Sequence, residues 1–275
     1  MCKINFLGTG SAMVTKCFNT CFTISNEHNE HLLVDTGGGN LILTNLEKSK
    51  IHVDKIHNLF LSHSHNDHLN GISWVVRAIT SSMIDSNYDG NFNIYGHKEV
   101  LEKARSLCNI LLSEKNTKFF DNRINFIEAI DGSQINILDF SITFFNINST
   151  KLKQFGFSLK TPNNKKIVFL GDEGYKDHLF AYCNNADYLI HEAFCLYEQR
   201  DIYSPYKKHH STVKEAAEIS EKLKVKNLIL IHTEDDNLKN KKEFYSAEAN
   251  YFYRGNVLVP EDLESISICD EAEEY

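Results

Sequence analysis

The chain has 275 residues, of which 42% are hydrophobic and 24% charged, and its 29 basic and 37 acidic side chains leave a net charge of −8. That composition excludes a disordered or collagen-like chain, and no run approaches the roughly 18 unbroken apolar residues of a membrane span. An acidic balance also argues against a protein that holds nucleic acid by bulk charge, although a local patch or bound metal ions would still hold phosphate.

The first residues, MCKINFLGTGS, read as a strand and a turn without the apolar run of a signal peptide, so a cytoplasmic protein is expected. Residues 3–7 and 20–25 are predicted strands, joined by a loop that begins Gly8-Thr9-Gly10-Ser11. That loop lacks the rest of a dinucleotide fingerprint and reads as a turn. A third strand, 31–35, ends in Asp35-Thr36-Gly37-Gly38-Gly39, and the helical apolar spacing of LILTNLEKS follows it. The short apolar strand 57–61 runs straight into SHSHNDHLNG, with a helix predicted over 69–80.

Further strands are predicted near 92–95, 124–127, 135–138, 141–147 and 155–160, with sheet-covering helices over 98–112 and 237–249. Strand 166–170 ends in Gly171-Asp172, and strand 187–191 ends in His191-Glu192-Ala193. Helix 211–223 starts at a Ser/Thr cap and carries Val213, Ala216, Ala217, Ile219 and Leu223 on one face. Strand 227–231 ends at His232. The polar-aromatic segment 197–206, with Tyr197, Tyr203 and Tyr206, is either a substrate lid near His210 or a packed loop. Seven cysteines, an odd number without a CxxC, are expected as buried reduced thiols; Cys17 and Cys21 are the one close pair.

No repeat, linker or low-complexity tract divides the chain, so one domain over 1–275 is expected, with an acidic C-terminal tail from about 261. Interleaved strands and helices predict an α/β sandwich of two helix-covered sheets. Several apolar strands stop abruptly at ionisable residues: Asp35, His63, Asp172, His191 and His232. The ends of strands are where α/β folds gather chemistry.

The strongest single signal is His63-Ser64-His65-Asn66-Asp67-His68, with four candidate ligands in six residues. On a tight turn, His63 and His65 point the same way, and Asp67 and His68 reach a second point nearby. Imidazole with carboxylate suits zinc and similar first-row ions. This HxHxDH pattern resembles the metallo-β-lactamase superfamily. The Gly-Thr-Gly-Ser loop, the Asp-Thr-Gly-Gly turn, Gly171-Asp172 and His232 follow in that family's order.

The resemblance implies a four-layer αββα sandwich and two divalent ions, zinc first, with manganese or iron as alternatives. It places His63 and His65 on the first ion, Asp67, His68 and His232 on the second, and Asp172 between them. Asp67 would also serve the reaction. The two ions would share a water and lower its pKa. The family has a third histidine for the first ion shortly before a Gly-aromatic pair, but no histidine lies between His97 and His178 here. Ahead of Gly156-Phe157, Asn148 is the first candidate for the vacant place and Asn146 the second. An amide oxygen is the weaker, harder donor, so the first ion would be held loosely or be a harder ion such as Mn²⁺.

His191-Glu192-Ala193 followed by His210-Ser211-Thr212 is similar to the ribonuclease Z branch and its phosphodiesterase relatives. By that resemblance His210 is a general acid or transition-state stabiliser, and Glu192 orients it. Ribonuclease Z carries a long basic arm between its third histidine and the bridging aspartate. Here Asn148 and Asp172 are 24 positions apart, which argues against tRNA as the substrate. Lys151, Lys153, Lys160, Lys165 and Lys166 make that stretch basic, as a solvated face or a means of steering an anion. The expected function is a hydrolase of a small phosphodiester, nucleotide-like or otherwise. The alternatives are an acyl hydrolase of a thioester, lactone or β-lactam, and a degenerate metal-binding protein weakened at Asn148. A homodimer is expected by analogy with relatives, and no membrane partner is.

Overall fold

Strict alternation along short apolar strands builds the architecture. A computed structural model describes residues 2–268. Its first seven-stranded sheet contains β1 (Lys3–Gly8), β2 (Cys21–Ser25), β3 (His31–Val34), β4 (Ile56–Leu61), β5 (Phe92–Gly96) and β6 (Ile124–Glu128). The second contains β7 (Gln134–Ile137), β8 (Phe140–Asn146), β9 (Phe155–Lys160), β10 (Lys166–Phe169), β11 (Tyr188–Glu192), β12 (Asn227–Ile231) and β13 (Asn256–Leu258). The chain then returns to the first sheet as β14 (Ser265–Ser267), which pairs antiparallel with β1.

Successive side chains on a strand face opposite ways, and this divides the core into layers. Ile4, Phe6, Leu32, Val34 and Phe60 join Phe144, Phe157, Phe169, Ile190 and Ile229 in the space between the sheets. Phe60 stacks on Phe144 at 5.1 Å and meets the edge of Phe157 at 5.4 Å. The intervening Leu33, Leu59 and Leu61 face outward, where helices α1 (Leu41–Lys48), α3 (Ile72–Ile84) and α4 (Lys98–Leu111) cover them. On the far side, α8 (Val213–Lys222) and α9 (Lys241–Phe252) cover Leu228 and Leu230 of β12. The expected αββα order of layers is therefore the order observed.

Short helices complete the chain: α2 (Asn66–Leu69), α5 (Glu114–Thr117), α6 (Phe180–Cys183) and α7 (Arg200–Tyr203). Three boundaries differ from expectation for tertiary reasons. The predicted helix 69–80 is broken before Ile72, because the Gly71 N–H donates to the Gly37 carbonyl at 2.9 Å. A Cβ at Gly71 would lie 2.0 Å from the Thr36 carbonyl oxygen, so only glycine permits this approach. The helix predicted from 211 begins at Val213, with Thr212 as its cap and Glu215 closing a capping box. The last long helix starts at Lys241 rather than 237.

Of the stretch expected as an acidic tail, Asp262 accepts bonds from the Thr9 N–H and hydroxyl and from the Phe18 N–H, and β14 lies beyond it. Residues 269–275 lie outside the described residues. Six cysteines among the described residues are unpaired, four of them buried. Among the described residues, no helix is long and apolar enough to cross a membrane.

Candidate metal centre

Five strand ends meet at one rim of the sandwich. After β3 the chain turns at Asp35, which has a φ of +55°. After β4 it delivers Ser62 and His63. After β10, Gly171 takes a φ of +73° and presents Asp172. β11 ends at Glu192, and β12 gives way to His232, with a φ of +56°.

The imidazoles and carboxylates form two groups around one oxygen. His63 Nε2, His65 Nδ1 and an oxygen of Asp172 lie within 4.8 Å of one another, and so do donor atoms of Asp67, His68 and His232. Asp172 Oδ2 is 3.3 Å from His63 Nε2, 3.8 Å from His65 Nδ1, 3.8 Å from His68 Nε2 and 3.9 Å from His232 Nε2. Asp67 Oδ2 is 3.3 Å from His68 Nε2 and 3.5 Å from His232 Nε2. His63 Nε2 and His65 Nδ1 stand 2.8 Å apart. Of these donor atoms, His68 Nε2 and His232 Nε2 are buried without a hydrogen-bond partner, and so is the second carboxylate oxygen of Asp172. Buried polar atoms are otherwise nearly always paired. Orphaned lone pairs converging from two sides are the donor set of divalent cations, so the residues fit the ions that the sequence pattern implies.

One carboxylate behind this shell aims it. Asp35 Oδ1 accepts from the Ser62 N–H at 2.8 Å, and Oδ2 accepts from the Ser62 hydroxyl at 2.6 Å and from His68 Nδ1 at 2.8 Å. Ser62 Oγ in turn lies 2.9 Å from His63 Nδ1 and accepts its proton. These contacts engage Nδ1 of both rings and leave Nε2 turned to the cavity, as outer partners of metal-binding histidines do.

Electrostatics follow the geometry. Burial opposes charge on Asp172 and Asp67, yet the surrounding imidazoles hold both carboxyls below the usual range. Burial pushes His63 down. His68 is also buried, but Asp67 and Asp35 push it up.

His210 lies on the same cavity. Its ring stacks flat on Phe194 at 4.9 Å and lies 5.1 Å from the ring of His232. His210 Nδ1 donates to the Asp172 carbonyl at 2.8 Å. Burial opposes its charge, but Glu192, 3.6 Å away, raises its pKa. The hydrogen bonds of Glu192 go mainly to Ser211, from the N–H and from the hydroxyl at 2.6 Å. The cavity, of about 230 Å³, is lined by His65, Asp67, Asp172, His210 and His232 together with Gln154, Glu173, Lys151 and Lys208.

The structure therefore brings together His63, His65, Asp67, His68, Asp172, His232, His210 and Glu192, but not Asn148. Asn148 is exposed, has a φ of +56°, and sets its amide nitrogen 3.3 Å from His178 Nε2. Asn146, the second candidate, accepts the Asn148 N–H on its side chain at 2.9 Å. Segment 197–206 folds as short helical turns, with Tyr203 against Phe194 and Tyr206 bonded to Glu215 at 2.7 Å. Sequence reasoning did not single out Gln154, Glu173 or Lys208, and it gave Asp35 no task. The pattern of a strand ending in Asp-Thr-Gly was the available signal for Asp35.

Comparison with known proteins agrees with this geometry. Residues 2–256 match the family described as anti-Pycsar protein Apyc1. The chain belongs to that family. This Apyc1-family chain is similar to ribonuclease Z of Thermococcus sibiricus (strain DSM 12597 / MM 739), at 25% identity over 99% of the chain and 98% of the relative. Among solved structures it is similar to the metallo-beta-lactamase fold protein YhfI from Bacillus subtilis, with a TM-score of 0.78 and 20% identity over 96% of this chain and 98% of that one. It is also similar to the short form of human tRNase Z, with a TM-score of 0.74 and 23% identity over 98% of this chain and 100% of that one. The Apyc1-family chain is thus a metal-dependent hydrolase of the metallo-β-lactamase superfamily, near its ribonuclease Z branch.

Proposed function

We propose that the protein hydrolyses a small phosphodiester, nucleotide-like or otherwise, using two divalent ions, zinc foremost, held by His63, His65 and Asp172 and by Asp67, His68, His232 and the same Asp172. The observation that carries this reading is His210: a half-buried imidazole tied to the Asp172 carbonyl, on the cavity that both ligand groups line. When bound, such ions supply Lewis acidity and lower the pKa of a coordinated water.

The remaining work belongs to side chains. His210 keeps a proton on Nδ1 for the Asp172 carbonyl, which leaves Nε2 as the nitrogen available to substrate. Glu192 favours the charged ring, and that ring hands a proton to the departing ester oxygen. Lys151 and Lys208 bring positive charge to the cavity of an otherwise acidic protein, which suits an anionic ester better than a neutral acyl group. The relatives named for ribonuclease Z activity support cleavage at phosphorus. The small volume of the cavity and the direct pairing of β9 with β10, which leaves no room for an arm, support a small ester over tRNA.

The test is turnover of bis-p-nitrophenyl phosphate, thymidine p-nitrophenyl phosphate, a thioester and a lactone, each with Mn²⁺ and Zn²⁺. Phosphodiester cleavage is expected. His210→Ala should lower kcat by about 10²–10⁴-fold at unchanged metal content. Turnover confined to the acyl substrates would sink the proposal.

A further inference from the structure

The first ligand group lacks a third imidazole, and the residue sequence spacing would put there, Asn148, faces away. The segment between β8 and β9 offers a different donor. Gln154 is 1% exposed, and its side-chain oxygen Oε1 is buried without a hydrogen-bond partner. Its position is fixed from both sides. The Gln154 carbonyl accepts the Ile147 N–H at 3.0 Å, and the next residue, Phe155, donates its N–H to the Ser62 carbonyl at 3.0 Å. That second bond ties the segment to the residue preceding His63. Gln154 lines the same cavity as His65 and Asp172.

Space is kept for the amide. A Cβ on Gly171, the residue before Asp172, would come within 3.1 Å of Gln154 Oε1. A buried amide oxygen with no donor is destabilising. Among the described residues no donor offsets that cost, whereas a cation on the cavity side would.

We propose that Gln154 Oε1 is the donor that replaces the missing histidine, completing the group of His63, His65 and Asp172. This rests on the reading that the cavity binds two divalent ions. Each ion then has two imidazole nitrogens and two oxygens. The groups differ in charge: Gln154 is neutral where Asp67 is anionic. The first ion is accordingly the weaker of the two, and its site is biased toward harder ions such as Mn²⁺.

The experiment is calorimetric titration of the metal-free full chain with Zn²⁺ and with Mn²⁺, with metal content by mass spectrometry after gel filtration. The wild-type protein should bind two ions in two steps. Gln154→Ala should weaken the looser step at least tenfold and leave one retained ion. Gln154→Glu, which keeps the oxygen and adds charge, should tighten that step, and this variant carries the test if the alanine variant does not fold. Asn148→Ala should bind as the wild type does. Wild-type affinities for both ions in Gln154→Ala, no tightening in Gln154→Glu, or loss of an ion in Asn148→Ala would each overturn the assignment. So would a wild-type chain that binds a single ion. A wild-type chain that binds none would instead overturn the metal reading beneath it.

Discussion

Asp35 is fully buried behind the cavity rather than among its lining residues, yet replacing it with asparagine should disturb both ligand groups. Three donors converge on this buried carboxylate: the Ser62 N–H, the Ser62 hydroxyl and His68 Nδ1. Asparagine keeps one oxygen, which still accepts from the Ser62 N–H. It sets an NH₂ group where Oδ2 stood, facing two groups that now donate. A hydrogen bond to a charged group contributes about 1.5–3 kcal/mol, so losing two costs about 3–6 kcal/mol at most. Rotation of the Ser62 hydroxyl recovers part of this, and about 3 kcal/mol is the working figure. For a chain of this size that lowers Tm by on the order of 6–12 °C. His68 and, through Ser62, His63 also lose the partners that hold Nε2 toward the cavity, which weakens metal binding about 10–100-fold. Scanning calorimetry of the metal-free protein and titration with Zn²⁺ measure the two effects separately. An Asp35→Asn protein that melts within about 2 °C of wild type and binds both ions normally would refute the reasoning.

Other outcomes follow from the same structure. His31 is buried, with Nδ1 3.0 Å from Thr23 Oγ1, and burial lowers its pKa from 6.5 to about 4. The native chain therefore stays unprotonated there between pH 6.5 and 4 while the unfolded chain takes up a proton, so stability falls as pH drops through that window. The loss from pH 7.5 to 5 is about 2 kcal/mol; urea melts at both pH values should show it, and His31→Gln should abolish that component of the slope. Gly71→Ala forces a Cβ to 2.0 Å from the Thr36 carbonyl oxygen, whereas at Gly39 nothing lies within 4 Å. The first should cost about 3 kcal/mol of stability and the second less than about 0.5 kcal/mol, a contrast that chemical denaturation resolves. Lys151→Met and Lys208→Met should each raise KM for an anionic phosphodiester about two- to fivefold at low salt. That penalty should shrink in 0.5 M salt; a penalty indifferent to ionic strength would argue against a role in holding the anion.

Much of the site was legible because its donors are local in sequence or mark the ends of apolar strands. His63, His65, Asp67 and His68 occupy one turn, and Asp172 and His232 each follow a run whose burial the hydropathy pattern shows directly. What sequence could not show depends on contacts far apart along the chain. The choice between Asn148 and Gln154 is made by a left-handed turn at Asn148 and by the Phe155–Ser62 bond, neither of which leaves a local trace. β14 is three residues long and finds its partner β1 across nearly the whole chain, so no periodicity marks it. The break between α2 and α3 comes from the close approach of Gly71 to the turn after Asp35, while the helical spacing of the residues runs on unbroken.

Asp172 has one more consequence. Its side chain faces four imidazoles, and its main-chain carbonyl steadies a fifth, that of His210. On the function proposed above, the ions and the proton donor would both hang from a single pivot, a peptide unit set by the left-handed kink at Gly171. A rotation there would shift the Asp172 carboxylate and the partner of His210 together, so damage at Asp172 and at His210 should compound far less than the product of the separate losses.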